Sequence, residues 1–297
     1  MHNQQDNKIF AIARAKVNLA LKVLYKRGDG YHEIETILQS VDLFDELNIE
    51  FTQDGRIAIT CTDPDIPTDD KNICWKAVLG MRQMVPGLGA RIHIRKQIPH
   101  SAGLGGGSSD AGAVIMAANE VFDLNLPAKK LEQVAISVGS DVPFMLYGGT
   151  MLGRGRGEKL TRLENLKKCY FLIVKPPVDI STSWVYENIN FRLTRGRYRL
   201  NLKQVNTILA HFPKIAMSFK NDLEDVVCPA FPQISGILDR LLSCDPSFAA
   251  MSGSGSAVFA IFENEGKASG LADRFSMRGC FTTVVEPSLR AVDLCPA

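Results

Sequence analysis

A run of three glycines and two serines, 105–109, constrains this chain more than any other stretch of its sequence. The run lies in a loop, 99–110, which follows a predicted strand over 90–94 and leads straight into a helical pattern. Glycine accepts positive φ and lets the backbone approach a ligand closely, and the first turn of a helix presents unsatisfied N–H groups at a positive dipole end. The run therefore predicts a strand, loop and helix that together cradle an anion such as a phosphate.

This loop differs from the two better-known phosphate-binding loops. A Walker A loop requires a lysine directly after its glycines, and no lysine follows Gly107. A dinucleotide-binding G-x-G-x-x-G loop requires a glycine at the position that Ser108 occupies. From these residues alone, a tight strand-to-helix turn without a ligand stays open as the alternative. In either case Ser108 or Ser109 is the expected N-cap of the helix.

Length and patterning predict a chain of two domains. Its 297 residues match about two domains of about 150 residues each. Alternating apolar residues predict strands over 10–12, 17–23, 47–51 and 57–59. The dipeptide Asp54-Gly55 predicts a hairpin turn between the last two of these strands. Glycine-rich turns at 148–149 and 154–157 punctuate the middle of the chain, and we place the boundary between domains 1–156 and 157–297 there.

Composition excludes several classes of protein. Thirty-four Lys and Arg residues against 32 Asp and Glu give a net charge of +2, whereas a nucleic-acid coat needs a strong basic excess. The basic stretch 192–203 therefore predicts a solvated face rather than a binding patch. No apolar run is long enough for a membrane span, and the first seven residues do not resemble a signal peptide. Seven widely spaced cysteines predict neither a disulfide framework nor a zinc site and fit a reducing cytoplasm.

Several segments of the chain resemble the GHMP kinases, a superfamily of small-molecule kinases. The loop 99–111 is similar to the nucleotide loop of that family, and 252–256 is similar to its third motif. The segments 15–19, 27–32 and 139–144 resemble one member in particular, whose substrate is a cytidine diphosphate methylerythritol. These motifs occur in the family's order and extend from residue 15 to about residue 262.

The resemblance implies a two-domain α+β fold. Its N-terminal domain would resemble ribosomal protein S5 domain 2, its C-terminal domain would be ferredoxin-like, and the active site would lie in the cleft between them. The implied reaction transfers the γ-phosphoryl group of ATP, with Mg²⁺, to the 2-hydroxyl of the cytidylated methylerythritol in isoprenoid biosynthesis. A homoserine or mevalonate kinase of the same superfamily is the alternative within the enzyme class. A non-catalytic RNA-binding protein with an S5-like fold is the alternative from another class.

The resemblance also assigns the reacting groups. Asp141 would be the general base that takes the proton of the alcohol, which is a poor nucleophile without one. Lys16 would lie beside this carboxylate and steady the charge of the transferring phosphoryl group. From the local sequence alone, Asp141 could equally be a turn residue, and Lys16 could be an exposed residue on a half-buried strand.

The substrate would be held by polar and aromatic side chains. Asn18 would bind its hydroxyls, Tyr31 would stack on the cytosine, and His32 would hydrogen-bond the base. Tyr186 would cover the second face of the cytosine. Trp184, Tyr170 and Phe171 lie close enough in the sequence to be alternatives to Tyr186.

The nucleotide would be held by the glycine loop and two outlying residues. The implied ATP-binding residues are Asn72, Lys96, Pro99, Gly103, Leu104, Gly105, Gly106, Gly107, Ser108 and Ser109. Asn72 and Lys96 would flank the adenine and the phosphates, although a helix cap and an exposed lysine at a strand end are their local alternatives. Ser108 would also be a ligand of Mg²⁺. The sequence leaves the oligomeric state open, with a homodimer as one option.

Overall fold

A computed structural model describes residues 7–189, 200–211 and 219–296. Most of the predicted basic stretch, 192–199, therefore lies outside the described residues. Within the described ranges the chain forms a seven-stranded sheet and a four-stranded sheet. No helix in those ranges has the length and apolar character needed to cross a membrane.

The elements have the following bounds. The larger sheet contains β1 (Lys8–Lys26), β2 (His32–Thr52), β3 (Ile57–Cys61), β4 (Gly89–Arg95), β5 (Thr150–Gly155), β6 (Lys159–Arg162) and β11 (Val292–Pro296). The smaller sheet contains β7 (Tyr170–Lys175), β8 (Phe248–Met251), β9 (Val258–Phe262) and β10 (Phe281–Val285). The helices are α1 (Ile73–Met81), α2 (Gly106–Val121), α3 (Ala128–Val138), α4 (Val142–Met145), α5 (Thr182–Glu187), α6 (Leu202–Ala210), α7 (Glu224–Ala230), α8 (Pro232–Leu242) and α9 (Glu265–Ser276).

A long antiparallel pair, β1 with β2, forms the centre of the larger sheet. The strand order is β11-β1-β2-β4-β3, and β5 extends the sheet by pairing with the first part of β2. Irregularities between Arg14 and Lys16 and between Asn18 and Ala20 bend β1 and let one 19-residue strand cover both of the segments predicted separately. Apolar residues of α1, α2 and α3 pack on one face of this sheet and form its core.

The predicted hairpin at Asp54-Gly55 is wrong. Gly55 does turn the chain with φ +69°, but β3 pairs in parallel with β4 and not with β2. Strand β4 lies between them because α1 crosses over and returns β4 to the centre, where Ile92 and Ile94 are buried. A turn signal reports where the chain reverses, whereas the burial of later residues decides which strands pair.

The smaller sheet has the antiparallel order β10-β7-β9-β8. Helices α8 and α9 pack against it, and together they bury a second apolar core. Strands β6 and β11 follow residue 156 in the chain and nevertheless pair in the larger sheet. The boundary between domains 1–156 and 157–297 stays a prediction.

The edge of β1 that faces away from β2 lies against the loops that form the site. The N–H of Lys16 donates to the carbonyl of Leu104 at 2.9 Å. The N–H of Asn18 donates to Oγ of Ser252 at 3.3 Å, and the N–H of Leu21 donates to the carbonyl of Lys220 at 3.0 Å. Three loops that are distant in sequence therefore meet along six residues of one strand, 16–21.

Candidate active site

The glycine loop opens α2 without a side-chain cap. Gly105 is the N-cap, with φ +72°, and the helix begins at Gly106. A Cβ atom on Gly105 would lie 2.7 Å from Cε of Met145 and 3.1 Å from the Lys16 side chain, and the positive φ itself favours glycine over serine at this position. The predicted N-cap at Ser108 or Ser109 is therefore wrong. The first-turn N–H groups of α2 meet no side-chain acceptor at the cap, which suits them to an anion.

Ser108 and Ser109 have different surroundings in the first turn of α2. Ser109 is fully buried, and its hydroxyl donates to the carbonyl of Arg14 at 2.6 Å. Ser108 faces the cavity described below. Of the two serines, only Ser108 is therefore placed to reach a ligand.

Lys16 is the most constrained charged group of the site. Its ammonium donates to Oδ1 of Asn18 at 2.7 Å and to the carbonyl of Gly103 at 2.8 Å. The same nitrogen lies 3.5 Å from Oδ2 of Asp141. Lys16 is buried, whereas the side chain of Asp141 is 38% exposed. The ammonium is thus fixed in place beside a carboxylate that remains open to a reactant.

Asn18 is oriented by a chain of hydrogen bonds. Its Nδ2 donates to Oγ1 of Thr36 at 2.8 Å, and that hydroxyl donates to the carbonyl of Ala20 at 2.7 Å. The chain fixes the carboxamide so that its oxygen faces the ammonium of Lys16.

A single cavity of about 690 Å³ joins most of the predicted site. Nine predicted residues line it: Lys16, Asn18, Tyr31, His32, Gly103, Gly105, Ser108, Asp141 and Tyr186. Residues that the sequence analysis did not single out as functional also line it, among them Thr36, Arg156 and Thr182. The cavity therefore brings the glycine loop, the Lys16–Asp141 pair and three aromatic rings together.

Three aromatic side chains, Tyr31, His32 and Tyr186, line this cavity. His32 and Tyr186 stack with ring centroids 5.2 Å apart and an angle of 24° between their planes. Burial, followed by the positive charge of Lys26, lowers the pKa of His32. Burial, followed by the negative charge of Asp141, raises the pKa of Tyr186. Both effects favour the neutral forms of the two rings near pH 7.

Tyr31 is exposed and lies against Arg156. The guanidinium carbon of Arg156 is 4.5 Å from the centroid of the Tyr31 ring, within the range of a cation–π contact. Arg156 belongs to a Gly-Arg-Gly turn, which in the sequence indicated only a boundary between domains. Nothing in its local pattern could have indicated that it faces Tyr31.

The alternatives to Tyr186 point elsewhere. Trp184 packs edge-on against Phe231, with ring centroids 5.5 Å apart. Phe171 is buried in a core with Phe259. The ammonium nitrogen of Lys168 lies 5.6 Å from the centroid of the Tyr170 ring. Tyr186 is the one of these aromatic residues that lines the cavity.

Lys96 is held in a buried group of three charges. Its ammonium pairs with Asp45 and lies 3.0 Å from Oδ2 of Asp110, and all three side chains are almost fully buried. Burial opposes the charged ammonium, but the two carboxylates outweigh it and raise the pKa of Lys96. Burial, partly offset by Lys96, raises the pKa of Asp110 to about 7. The ammonium is therefore engaged under the glycine loop, and the predicted contact with ATP stays a prediction.

Asn72 caps α1. Its Oδ1 accepts the N–H of Cys74 at 2.9 Å, and its Nδ2 donates to the carbonyl of Pro67 at 2.7 Å. Asn72 and Lys96 are both absent from the residues that line the cavity. An ATP-binding role for Asn72 likewise stays a prediction.

Comparisons with known proteins identify the family of this chain. The GHMP kinases N terminal domain matches residues 72–149, and the GHMP kinases C terminal domain matches residues 210–278. A 4-diphosphocytidyl-2-C-methyl-D-erythritol kinase of Geobacter sulfurreducens is 39% identical over 94% of this chain and 98% of its own length.

Solved structures extend the comparison to the fold. A crystal structure of 4-(cytidine 5'-diphospho)-2C-methyl-D-erythritol kinase matches with a TM-score of 0.78 and 30% identity, over 93% of this chain and 98% of that one. A homoserine kinase from Cytophaga hutchinsonii matches with a TM-score of 0.74 over 97% and 98% of the two chains. Its 18% identity establishes a common fold only. The predicted two-domain α+β fold is confirmed, and the chain belongs to the 4-diphosphocytidyl-2-C-methyl-D-erythritol kinase family of GHMP kinases.

Proposed function

We propose that this kinase transfers the γ-phosphoryl group of ATP to the 2-hydroxyl of 4-diphosphocytidyl-2-C-methyl-D-erythritol, a step of the non-mevalonate route to isoprenoid precursors. One observation carries the proposal. A single cavity contains the start of α2, the Lys16–Asp141 pair and the rings of His32 and Tyr186. These groups suit a triphosphate, a reacting alcohol and a nucleobase respectively. The names of the relatives supply the identity of the substrate.

Asp141 is the general base in this proposal. The exposed carboxylate takes the proton of the alcohol as that oxygen attacks the γ-phosphorus, and the bond from this phosphorus to the β–γ bridging oxygen of ATP breaks. Lys16 holds the carboxylate in place and offsets negative charge on the transferring group. Its bonds to Asn18 and Gly103 keep the ammonium from moving away from the reacting atoms.

The triphosphate binds at the start of α2. The uncapped N–H groups and the helix dipole of this 16-residue helix favour negative charge there. Mg²⁺ is part of the proposal because Ser108, in the first turn, offers the kind of hard oxygen atom that this ion prefers, and it lines the cavity. When bound, the ion would neutralise part of the charge of the triphosphate.

The cytosine binds between the aromatic residues. Tyr31 and Tyr186 supply the stacking faces, and His32 supplies a hydrogen bond. Tyr31 is exposed and lies beside Arg156, so it can reorient to meet a base without leaving a core. Asn18 meets the hydroxyls of the methylerythritol.

Small molecules are the proposed partners, without nucleic acid, and the cytoplasm is the proposed location. The net charge of +2 offers little attraction for a polyanion. All seven cysteines are free, as expected in a reducing compartment.

The test is ADP release by the purified protein with ATP and Mg²⁺, in the presence and absence of the cytidylated methylerythritol. We expect release that depends on the substrate, and a product phosphorylated on the 2-hydroxyl. Homoserine and mevalonate are assayed in parallel, because turnover of either in place of the cytidylated alcohol would assign the chain to the alternative kinases. Binding of RNA that weakens steeply with salt, without turnover of any alcohol, would favour the RNA-binding alternative.

A further inference from the structure

The segment 219–224 connects β1 to the smaller sheet. The N–H of Leu21 donates to the carbonyl of Lys220 at 3.0 Å, and the N–H of Asp222 donates to the carbonyl of Leu21 at 2.8 Å. The N–H of Val23 donates to Oδ2 of Asp222 at 3.0 Å. The segment therefore forms an isolated parallel bridge with β1, between Leu21 and Asn221, a few residues beyond Lys16 and Asn18.

Asn221 lies at the centre of this segment and is fully buried. Its Nδ2 donates to the carbonyl of Met251 at 2.8 Å and to the carbonyl of Gly253 at 2.7 Å. Its Oδ1 accepts the N–H of Leu223 at 3.0 Å. Both donors and the acceptor of the carboxamide are satisfied, so the side chain has one defined orientation.

The loop that Asn221 holds, 252–256, forms a wall of the cavity. Gly253 and Ser254 line it, and a Cβ atom on Gly253 would lie 3.2 Å from Oδ1 of Asn18 and 3.4 Å from Nζ of Lys16. On its other side the loop touches the phosphate-binding loop, because Oγ of Ser252 donates to the carbonyl of Gly103 at 2.9 Å. A shift of this loop would therefore disturb the atoms that hold the Lys16 ammonium.

We propose that Asn221 is a positioning residue, whose two hydrogen bonds to Met251 and Gly253 hold the loop 252–256 against Lys16 and Asn18. It lies outside the residues that line the cavity and acts through the backbone that it holds. The consequence for turnover rests on the proposed function. The consequence for the loop does not, because it follows from the hydrogen bonds alone.

Two variants separate the two roles of the Asn221 side chain, which donates to Met251 and Gly253 and accepts the N–H of Leu223. Asn221→Asp keeps the side-chain volume and the acceptor for Leu223, but it removes both donors and faces two carbonyls with a carboxylate. Asn221→Ala removes donors and acceptor together. The matched control is Asn264→Ala, which removes the N-cap of α9, where Oδ1 accepts the N–H of Lys267 at 2.9 Å. This control destabilises the same half of the chain without touching the loop.

We expect both Asn221 variants to lose at least tenfold in kcat/KM for the alcohol, whereas the Kd of a non-hydrolysable ATP analogue changes by less than about threefold. Hydrogen exchange in peptides that cover 251–257 should become faster, and the control should show neither change. An Asn221→Asp enzyme that keeps wild-type kcat/KM and wild-type exchange at 251–257 would overturn the proposal. So would variants in which only the melting temperature falls, as in the control.

Exchange also separates this inference from the proposed function. If wild-type protein does not turn over the cytidylated alcohol but the Asn221 variants still exchange faster at 251–257, Asn221 positions the loop and the proposed function is wrong. If the alanine variant does not fold, the aspartate variant, which keeps the turn to Leu223, supplies both readouts.

Discussion

The ammonium nitrogen of Lys16 lies 3.5 Å from Oδ2 of Asp141 while it donates to Asn18 and to the carbonyl of Gly103. The cation is therefore held by neutral oxygens on one side and faces a carboxylate on the other. Such an arrangement fixes the carboxylate of Asp141 without burying it, as the proposed role of general base requires.

Asp141→Asn should abolish turnover and spare nucleotide binding. The amide has the shape of the carboxylate but cannot take the proton of the alcohol, so we expect kcat to fall by about a thousandfold or more. The Kd of an ATP analogue should stay within about threefold of wild type. Asp123→Asn is the matched control, since its positive φ of 45° suits asparagine and it does not line the cavity. Near-normal kcat in Asp141→Asn would show that the base is assigned wrongly.

Tyr31→Ala should weaken substrate binding more than it slows the chemical step. Stacking of a base on an aromatic ring is worth about 1–3 kcal/mol, so KM for the cytidylated alcohol should rise by about 5- to 150-fold while kcat changes little. Tyr31→Phe keeps the ring face and serves as the control. Steady-state kinetics of the three proteins test this, and an unchanged KM in Tyr31→Ala would exclude stacking by this residue.

The sequence predicted a glycine loop that leads into a helix on physical grounds, but it could not predict how that helix begins. Glycine at 105–107 indicated a helix start, and α2 does begin at Gly106. The N-cap is Gly105 and not a serine. Its φ of +72° favours glycine, and a Cβ atom there would crowd Met145 and Lys16, which are distant in sequence. The hairpin prediction at Asp54-Gly55 was wrong for a similar reason, since β3 pairs with β4, a strand that follows it by about thirty residues.

The pairing of Lys16 with Asp141 was predicted only through the resemblance to a family. From the local sequence alone, Lys16 fits an exposed position on a strand and Asp141 fits a turn as well as each fits a catalytic role. Asn221 and Arg156 were not singled out by the sequence analysis, because each acts through contacts with residues that lie far away in the chain, Gly253 and Tyr31 respectively. Such partners are set by the tertiary fold and leave no periodic signal in the sequence.

Lys96→Met should unfold the protein more easily, because it leaves Asp45 and Asp110 buried without their cation. Breaking a buried ion pair in this way costs about 3–5 kcal/mol, and urea denaturation should show a loss of that size at pH 8. The double variant Lys96→Met/Asp110→Asn should recover part of it, because one of the two uncompensated carboxylates is gone. Lys129→Met, an exposed lysine on α3, is the control. If Lys96→Met instead leaves the free energy of unfolding unchanged and weakens the binding of an ATP analogue tenfold, Lys96 contacts the nucleotide.

Glu224→Gln should stabilise the protein at pH 8 and not at pH 4.5. Burial raises the pKa of Glu224 from 4.5 to about 7, partly offset by the N–H of Met251, which its Oε1 accepts at 2.7 Å. The unfolded chain therefore releases its proton at lower pH than the folded protein does, and the stability of wild type falls as pH rises from about 4.5 to about 7.

Glutamine can still accept the bond from Met251 but carries no charge to bury. The free energy of unfolding of the variant should therefore exceed that of wild type by an amount that grows over this pH range to about 1–3 kcal/mol. Urea denaturation at several pH values measures it, with Glu263→Gln, an exposed glutamate, as the control. A difference between Glu224→Gln and wild type that does not change with pH would mean that Glu224 ionises in the folded protein as it does in the unfolded chain.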